Sequence, residues 1–459
     1  MPFEDVISPL ARSLLGGGLV MGGELAVDDV HARAVRTLGR PWKWLKPLAQ
    51  RYVKAFAGRT RPRHRDVVQF LLHDRGYQRA LAKYREELSI AEWIAEPQRM
   101  QPVAKAQGWQ LPVIESAGDL AAWLSLEIGY LEWFADLKEL GNKLRRPKLQ
   151  HYHYTILPKQ SGGVRLIESP KSRLKEVQRQ ILNGILDPIP THPAVHGFVK
   201  GRSIVTFASP HVGKKVLLRL DLQNFFPTFP AARVRAFFRT LGYPENVADL
   251  LGGICTNAVP RGIWREPHPE IDPNEWIEAR ALYARPHLPQ GAPTSPAIAN
   301  RIAYRLDCRL HGLAKSAGAV YTRYADDLAF SGGEEFDRAA GRFSTHVAAI
   351  ALEEGFRVNH RKTRILRQGV CQHLAGIVVN HQLSLPRRDL EKLEAILTNC
   401  IRFGPESQNQ SSQKRGSQNR DGHPDFRAYL EGHVGYVEMV NRIKGQRLRR
   451  LLEAIKWEG

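Results

Sequence analysis

The chain contains few cysteines, with only four among its 459 residues. None of them has the Cys-x-x-Cys spacing of zinc fingers and thiol–disulfide motifs, and they are not clustered as a disulfide framework would require. These two classes of protein are therefore excluded, and we expect reduced, structural cysteines. They are Cys255, Cys308, Cys371 and Cys400.

The chain also lacks a run of about 18 apolar residues, the length that a membrane-spanning helix needs. No segment has the order of charged, apolar and small residues that marks a secretory signal peptide. We therefore expect a cytoplasmic protein with no membrane partner.

Acidic residues are in deficit. Lysine and arginine number 67 against 46 aspartates and glutamates, which gives a formal net charge of +21. Such a surface attracts phosphates, so the balance predicts a polyanionic partner such as a nucleic acid. With 43% hydrophobic residues the chain can still bury a large core, and we expect two to four domains.

The positive charge is concentrated near the N-terminus. Residues 30–65 contain eleven Lys or Arg and no acid, and four rings are interleaved with them: Trp42, Trp44, Tyr52 and Phe56. This mixture suits RNA, because cations bind phosphates and flat rings stack on bases. The alternative is that the rings are buried and only the basic face is solvated.

Against this deficit, two adjacent acids occur in Tyr324-Ala325-Asp326-Asp327, between short apolar runs. Like charges in a β-hairpin turn repel each other unless a divalent cation holds them. A third carboxylate, Asp221, ends the apolar run of residues 216–220. The three acids predict a metal site, and Mg²⁺ is the hard cation that ionised oxygens suit.

Further motifs surround these acids in a fixed order. Asp221 opens an LDxxxFF pattern, residues 289–296 read PQGAPTSP, and the YADD turn follows. Residues 111–459 therefore resemble the reverse transcriptases. Upstream, Lys159 and Arg165 flank two glycines in a segment similar to the fingers hairpin of that family.

Three segments favour one subgroup. Residues 196–203 read HGFVKGRS, similar to the HGFxxGRS segment of bacterial retron and group II intron enzymes. Two later segments stand where retron enzymes carry NAxxH and VTG blocks that hold their own structured RNA. Ala208, His211 and Gly376 match these blocks, whereas Phe207 replaces the asparagine. The resemblance implies a retron-type enzyme in which these three residues bind RNA, although His211 equally suits a structural hydrogen-bonding role.

The resemblance also implies the catalytic roles. Asp221 and Asp326 would bind two Mg²⁺ ions, or Mn²⁺ in their place, and Asp327 would complete the acidic cluster. Lys362 matches the lysine that the family places near the departing pyrophosphate, as a candidate general acid.

Substrate-binding roles follow in the same way. Lys159 and Arg165 would bind the phosphates of the incoming dNTP, Arg165 through a bidentate fork. Phe226 would exclude a ribose 2′ hydroxyl and so favour dNTPs. Gln290 and Gly291 would shape the pocket under the new base pair, where a glycine permits close backbone approach.

The fold implied by the resemblance is α+β: a right-hand polymerase with fingers, a ferredoxin-like antiparallel palm and a helical thumb. A basic, mainly helical N-terminal extension would precede it. We expect the extension at 1–110, fingers with leading helices at 111–205, the palm at 206–380 with a fingers insertion at about 231–287, and the thumb at 381–459. Within the thumb, 404–422 would form a flexible loop, because its polar composition cannot pack a core. Residues 371–374 resemble the primer grip.

The predicted activity is that of a retron-type RNA-directed DNA polymerase, which copies a structured noncoding RNA into DNA by two-metal nucleotidyl transfer. Its partners would be this RNA, the DNA product, dNTPs and an effector protein encoded nearby, and the resemblance implies a role in antiphage defence. One alternative is a group II intron-like or abortive-infection-type reverse transcriptase. Another, from a different class, is a non-catalytic RNA-binding scaffold.

Overall fold

The computed structural model describes residues 4–15, 26–57, 62, 64–84, 87–92, 99–141, 149–159, 162–411 and 423–457. These residues form α-helices and antiparallel sheets, which confirms the predicted mixture of helix and sheet. The chain divides into two compact units, Met1–Leu140 with Arg235–Ile254 and Gly141–Val234 with Cys255–Gly459. The finer division into extension, fingers, palm and thumb stays a prediction.

In chain order the helices are α1 (Glu4–Leu15), α2 (Val27–Leu38), α3 (Leu45–Ala55), α4 (His64–His73), α5 (Arg75–Tyr84), α6 (Ala117–Trp123), α7 (Ile128–Ala135), α8 (Ser172–Ile181), α9 (Ile204–Ala208), α10 (Ala231–Thr240), α11 (Glu245–Ile254), α12 (Pro273–Tyr283), α13 (Ser295–Ile302), α14 (Tyr304–Ser316), α15 (Glu334–Glu353), α16 (Arg387–Phe403), α17 (Pro405–Ser411), α18 (Phe426–Val440) and α19 (Arg442–Glu453). The strands are β1 (Tyr152–Pro158), β2 (Val164–Pro170), β3 (Val216–Asp221), β4 (Val320–Tyr324), β5 (Asp327–Gly332), β6 (Arg364–Arg367), β7 (His373–Leu374) and β8 (Ile377–Val378).

Helices α1 to α5 of the first unit share one hydrophobic core, to which each contributes an apolar face of helical period. Trp42, Tyr52 and Phe56 belong to this core, and Trp44 packs against it. Tyr52 is only 1% exposed, and burial raises its pKa to about 12. The rings of the basic segment are therefore core residues, so the structure supports the buried alternative and not a base-stacking surface.

A four-stranded antiparallel sheet, the central sheet, lies in the second unit with the order β4-β5-β3-β6. Helices α13 and α14 fall between β3 and β4 in the chain, and α15 falls between β5 and β6. This β-α-β-β-α-β order is the connectivity of ferredoxin-like sheets. Strand β3 is central and almost wholly apolar, so burial on both faces fixes its register.

Two hairpins and a helical cluster complete the second unit. Strands β1 and β2 form one hairpin, and β7 and β8 form a short one. Helices α16, α18 and α19 pack around the buried side chains of Leu397, Leu430, Val434 and Leu448. No helix in the described ranges is both long and apolar enough to span a membrane.

The predicted loop 404–422 is wrong in its first part, because residues 405–411 form α17. A proline at the first helical position and Glu406 in the first turn favour this helix. Residues 412–422 lie outside the described residues.

Replacing Tyr52 by alanine is expected to destabilise the first unit by about 3 to 5 kcal/mol, because a large ring leaves a fully buried position. Lys54→Ala is the matched control on the exposed face of α3 and should change stability by less than about 0.5 kcal/mol. Chemical denaturation followed by tryptophan fluorescence compares the two. Equal effects of both substitutions would contradict the core assignment.

Candidate active site

A tight hairpin carries the two adjacent acids. Strands β4 and β5 are joined by Ala325 and Asp326 alone, and Ala325 has a φ of 54°. The amide of Leu222 donates to the carbonyl of Asp326 at 3.0 Å. Asp221 pairs with Asp327 in the register of β3 and β5. The backbone therefore brings the three predicted carboxylates to one edge of the central sheet.

Burial and mutual repulsion perturb these acids. The pKa of Asp326 is raised to about 6, first by burial and then by the charges of Asp327 and Asp221. Burial also raises the pKa of Asp327, although Arg219 opposes this by donating from Nη2 to Oδ1 at 3.3 Å. Lys362 donates from Nζ to Asp221 Oδ1 at 3.0 Å. Two cations thus each hold one acid of the cluster.

Within the described part of the chain, no three His, Cys, Asp or Glu side chains already stand in a metal-holding arrangement. Asp221 accepts a hydrogen bond from Lys362, and Asp327 accepts one from Arg219. The donor set nevertheless fits Mg²⁺, because its oxygens are carboxylates. Burial first, and then the charges of Asp327 and Asp221, raise the pKa of Asp326, and a bound cation would stabilise its ionised form. The metal-ligand roles remain predictions.

The β1–β2 hairpin brings its two predicted phosphate-binding cations to the same end. Gly162 and Gly163 have φ of 85° and 87°, and Lys159 donates its amide to the Gly163 carbonyl at 3.0 Å. Burial and the nearby charge of Arg165 lower the pKa of Lys159. Its ammonium donates to Asn224 Oδ1 at 3.2 Å, in the loop that follows Asp221. Lys159 therefore lies beside the acidic edge.

The turn that contains Gln290 and Gly291 is fastened to β2. The carbonyl of Gln290 accepts from the amide of Glu168 at 2.8 Å, and a Cβ on Gly291 would stand 2.8 Å from the Glu168 carbonyl. The buried Glu168 carboxylate accepts from His287 Nε2 at 2.9 Å and from Asn257 Nδ2 at 2.7 Å. Burial lowers the pKa of His287, but Glu168 outweighs it and raises the pKa overall. Close backbone approach at Gly291 is thus present.

The two phenylalanines after Asp221 have different environments. Phe225 is 4% exposed and lies with its ring centroid 5.9 Å from that of Phe356. Phe226 is half-buried, with its ring centroid 6.4 Å from that of the exposed Phe198. Phe225 is therefore a core residue, while Phe226 keeps a partly accessible ring for the predicted contact with the sugar.

Two of the three predicted RNA-binding residues are inaccessible. Ala208 and His211 are both 0% exposed. His211 is hydrogen-bonded through Nδ1 to Ser331 Oγ at 2.6 Å and through Nε2 to Thr322 Oγ1 at 2.7 Å. Burial corrects the RNA-binding prediction for both side chains, and the two hydrogen bonds support the structural interpretation of His211. Gly376 is exposed in the β7–β8 turn with a φ of 83°, and its RNA contact stays a prediction.

Sequence reasoning missed the charged residues that support the hairpin turn. Arg323 and Asp307 form an ion pair in which both side chains are 0% exposed. The only signal was a charged residue within an apolar strand and another within a helix of apolar period. Arg219 and Asn224, which contact predicted site residues, carried no motif at all.

The chain is similar to known reverse transcriptases. A family model described as reverse transcriptase (RNA-dependent DNA polymerase) matches residues 157–412. The Retron Mx65 reverse transcriptase of Myxococcus xanthus is 38% identical over 352 residues, which cover 76% of this chain and 73% of the relative. The Retron Mx162 enzyme of the same organism is 34% identical, covering 75% and 67%. The Retron Ec86 reverse transcriptase of Escherichia coli is 32% identical, covering 50% and 64%.

The acidic sheet edge and the matched family model define the class of protein as an RNA-directed DNA polymerase, a nucleotidyltransferase that generally uses divalent metal ions such as Mg²⁺. Within that class, the chain belongs to the bacterial retron-type reverse transcriptases. The alternative of a non-catalytic scaffold is therefore wrong, and so is a lineage outside the retron type.

The buried His211 predicts a pH dependence of stability. Burial is the main cause that lowers the pKa of His211 to about 3, and the charges of His196 and Lys214 add to it. In an unfolded chain the pKa of histidine is about 6.5. The neutral ring stabilises the fold above about pH 6.5, and this contribution is lost as the pH falls towards about 3, because the unfolded chain takes up the proton first.

His211→Gln is expected to be about 1 to 3 kcal/mol less stable than the original chain at pH 7, because buried hydroxyls lose partners. The difference in the free energy of unfolding should narrow as the pH falls, because the original chain loses the contribution of its neutral histidine while glutamine does not titrate. Urea denaturation from pH 7 to pH 4 measures both chains, and a difference that stays constant over this range would argue against the buried neutral ring.

Proposed function

We propose that this enzyme copies a structured noncoding RNA into DNA with two Mg²⁺ ions, for which Mn²⁺ can substitute. The observation that carries the proposal is the meeting of Asp221 with Asp326 and Asp327 at one edge of the central sheet. Lys362 donates to Asp221, and Lys159 donates to Asn224 in the loop that follows Asp221, so both cations lie close to the same edge.

Asp221 and Asp326 would hold both ions, and Asp327 would add negative charge beside them. When bound, the ions activate the 3′ hydroxyl of the growing strand and stabilise charge on the leaving pyrophosphate. Arg219 holds Asp327 at 3.3 Å, which favours the first two acids as the direct ligands. Asp221 has a half-exposed partner, Lys362, and would exchange this bond for the ions.

That exchange gives Lys362 its role. Its Nζ lies 3.0 Å from Asp221 Oδ1, and release from this carboxylate leaves the ammonium free to give a proton to the departing pyrophosphate. Lys159 and Arg165, from the β1–β2 hairpin, bind the triphosphate from the other side. Phe226 stands beneath the sugar and excludes a 2′ hydroxyl.

The polymerase subdomains follow from these roles. The β1–β2 hairpin forms part of the fingers, the central sheet forms the palm, and α16 to α19 form the thumb. The β7–β8 hairpin, which contains His373 and Leu374, acts as the primer grip, and Gly376 in its turn contacts RNA. The proposal extends to a cognate structured RNA, an effector protein encoded nearby and a cytoplasmic role in antiphage defence.

Asp326→Asn is expected to lower RNA-templated DNA synthesis by about a thousandfold or more, because the ions lose a charged ligand while the shape of the side chain is kept. Glu335→Gln is the matched acid-to-amide control on the exposed start of α15 and should retain full activity. Primer extension with dNTPs and Mg²⁺ measures the rate of DNA synthesis by each purified enzyme. Sequencing of the nucleic acid that co-purifies with the enzyme from cells identifies the template.

The two measurements separate the parts of the proposal. An Asp326→Asn enzyme as active as the original would refute the assigned site. Synthesis in the tube without a unique RNA-linked DNA in cells that carry the gene and its flanking DNA would refute the noncoding RNA template, while leaving the polymerase activity standing.

Phe226→Ala is expected to raise rNTP incorporation relative to dNTP by about tenfold or more, the range that one steric contact in a pocket supplies. Phe403→Ala, which removes a ring that is 68% exposed on α16, is the control. The measurement is the ratio of kcat/KM for each dNTP to kcat/KM for the rNTP with the same base. Unchanged discrimination in the Phe226 variant would remove this ring from the sugar site.

A further inference from the structure

A buried arginine lies directly beneath the turn that carries Asp326 and Asp327. Arg323 of β4 is 0% exposed, as is its partner Asp307 of α14. The guanidinium binds the carboxylate as a fork, from Nε to Oδ1 at 2.7 Å and from Nη2 to Oδ2 at 2.7 Å. This geometry leaves the second edge of the guanidinium for other acceptors.

That second edge points at the turn itself. Nη1 of Arg323 donates to the carbonyl of Ala325 at 3.0 Å and to Asn300 Oδ1 at 3.1 Å. Ala325 is the residue with a φ of 54°, a left-handed conformation that a residue with a Cβ adopts only at some cost. The hydrogen bond from Arg323 therefore stabilises the strained peptide that orients Asp326.

The same network fixes the neighbouring backbone. Asn300 Nδ2 donates to the carbonyl of Gly197 at 2.8 Å, and a Cβ on Gly197 would stand 2.6 Å from the Ala325 amide nitrogen. The amide of His196 donates to the carbonyl of Arg323 at 2.8 Å. Residues 196 and 197 thus close over the turn, and Asn300 and Arg323 hold both sides of it.

Stability alone is a poor reason for this arrangement. Apolar residues of similar volume often replace a buried ion pair with no loss of stability, since desolvation of the two charges offsets their attraction. What an apolar pair does not provide is a donor aimed at one carbonyl. A lysine does not provide it either, because its single ammonium cannot serve the fork and the turn at once.

We infer that Arg323 is a positioning residue of the polymerase: oriented by Asp307 and Asn300, it holds the Ala325 carbonyl and so fixes the turn that presents Asp326 to the metal ions. The inference rests on the proposed function for its catalytic consequence. The competing interpretation is that the ion pair only attaches α14 to β4, with no effect on the turn.

Arg323→Lys tests the hydrogen bond to the Ala325 carbonyl while keeping the positive charge. The Mg²⁺ concentration for half-maximal synthesis should rise by about tenfold or more, the usual effect of removing a residue that orients a metal ligand. The affinity for RNA and primer should stay unchanged. Arg305→Lys is the matched control, because Arg305 is a 75% exposed residue of α14 that pairs with Glu354. It should leave the Mg²⁺ dependence as it was.

A second variant separates positioning from folding. Arg323→Met combined with Asp307→Leu, made in a Tyr321→Phe background, removes both buried charges and the hydroxyl that donates to Asp307 Oδ1 at 2.8 Å, so that none of the three is left unpaired. Its thermal unfolding should stay near that of the original chain, while its Mg²⁺ requirement rises as in Arg323→Lys. Hydrogen exchange of the peptide spanning residues 320–328, measured without metal or nucleic acid, should be faster in both variants and unchanged in the control.

The outcomes are distinct. If Arg323→Lys keeps the original Mg²⁺ dependence and the original hydrogen exchange, the inference is overturned. It is also overturned if the double variant keeps its stability and shows the original Mg²⁺ dependence and the original hydrogen exchange. Absence of synthesis by the unaltered enzyme would instead refute the proposed function, and the exchange experiment would still decide whether Arg323 holds the turn.

Discussion

The pairing of Asp221 with Asp327 across β3 and β5 is the constraint on which the rest of the site depends. The apolar strand β3 fixes that register, because a slip by one residue would turn its buried side chains to the other face. The same register that buries the core therefore crowds negative charge at the sheet edge. Arg219 and Lys362 relieve this repulsion at Asp327 and Asp221. The fold and the proposed metal site thus depend on the same strand.

The two cations differ in what they contribute. Arg219 lies on β3 itself, two residues before Asp221, so its bond to Asp327 belongs to the sheet. Lys362 lies in a loop and is 47% exposed, so it can leave Asp221 without disturbing the core. An arginine on the sheet beside Asp327 and a half-exposed lysine beside Asp221 agree with the proposal that Asp221, and not Asp327, exchanges its partner for a metal ion.

The sequence predicted the parts of this site that local patterns specify: the acidic turn, the strand before Asp221 and the glycine turn of the β1–β2 hairpin. The sequence did not predict the role of a residue where that role depends on whether the side chain is buried. Whether Tyr52 stacks on RNA or fills a core, and whether His211 meets RNA or two hydroxyls, depends on distant residues such as Ser331 and Thr322. The partners of Arg323 were equally hidden, because no spacing rule links it to Asp307.

Two functional turns share one solution to the same physical problem. Short turns that approach a substrate have few apolar side chains with which to anchor themselves, so buried polar groups must hold them. Arg323, paired with Asp307, holds the acidic turn through its guanidinium, and Glu168, paired with His287, holds the turn of Gln290 through its backbone amide. In each case the acceptor is a backbone carbonyl of the turn, that of Ala325 or that of Gln290. Both pairs are buried, so breaking either one would leave a charge without its partner, and this cost opposes movement of the two turns.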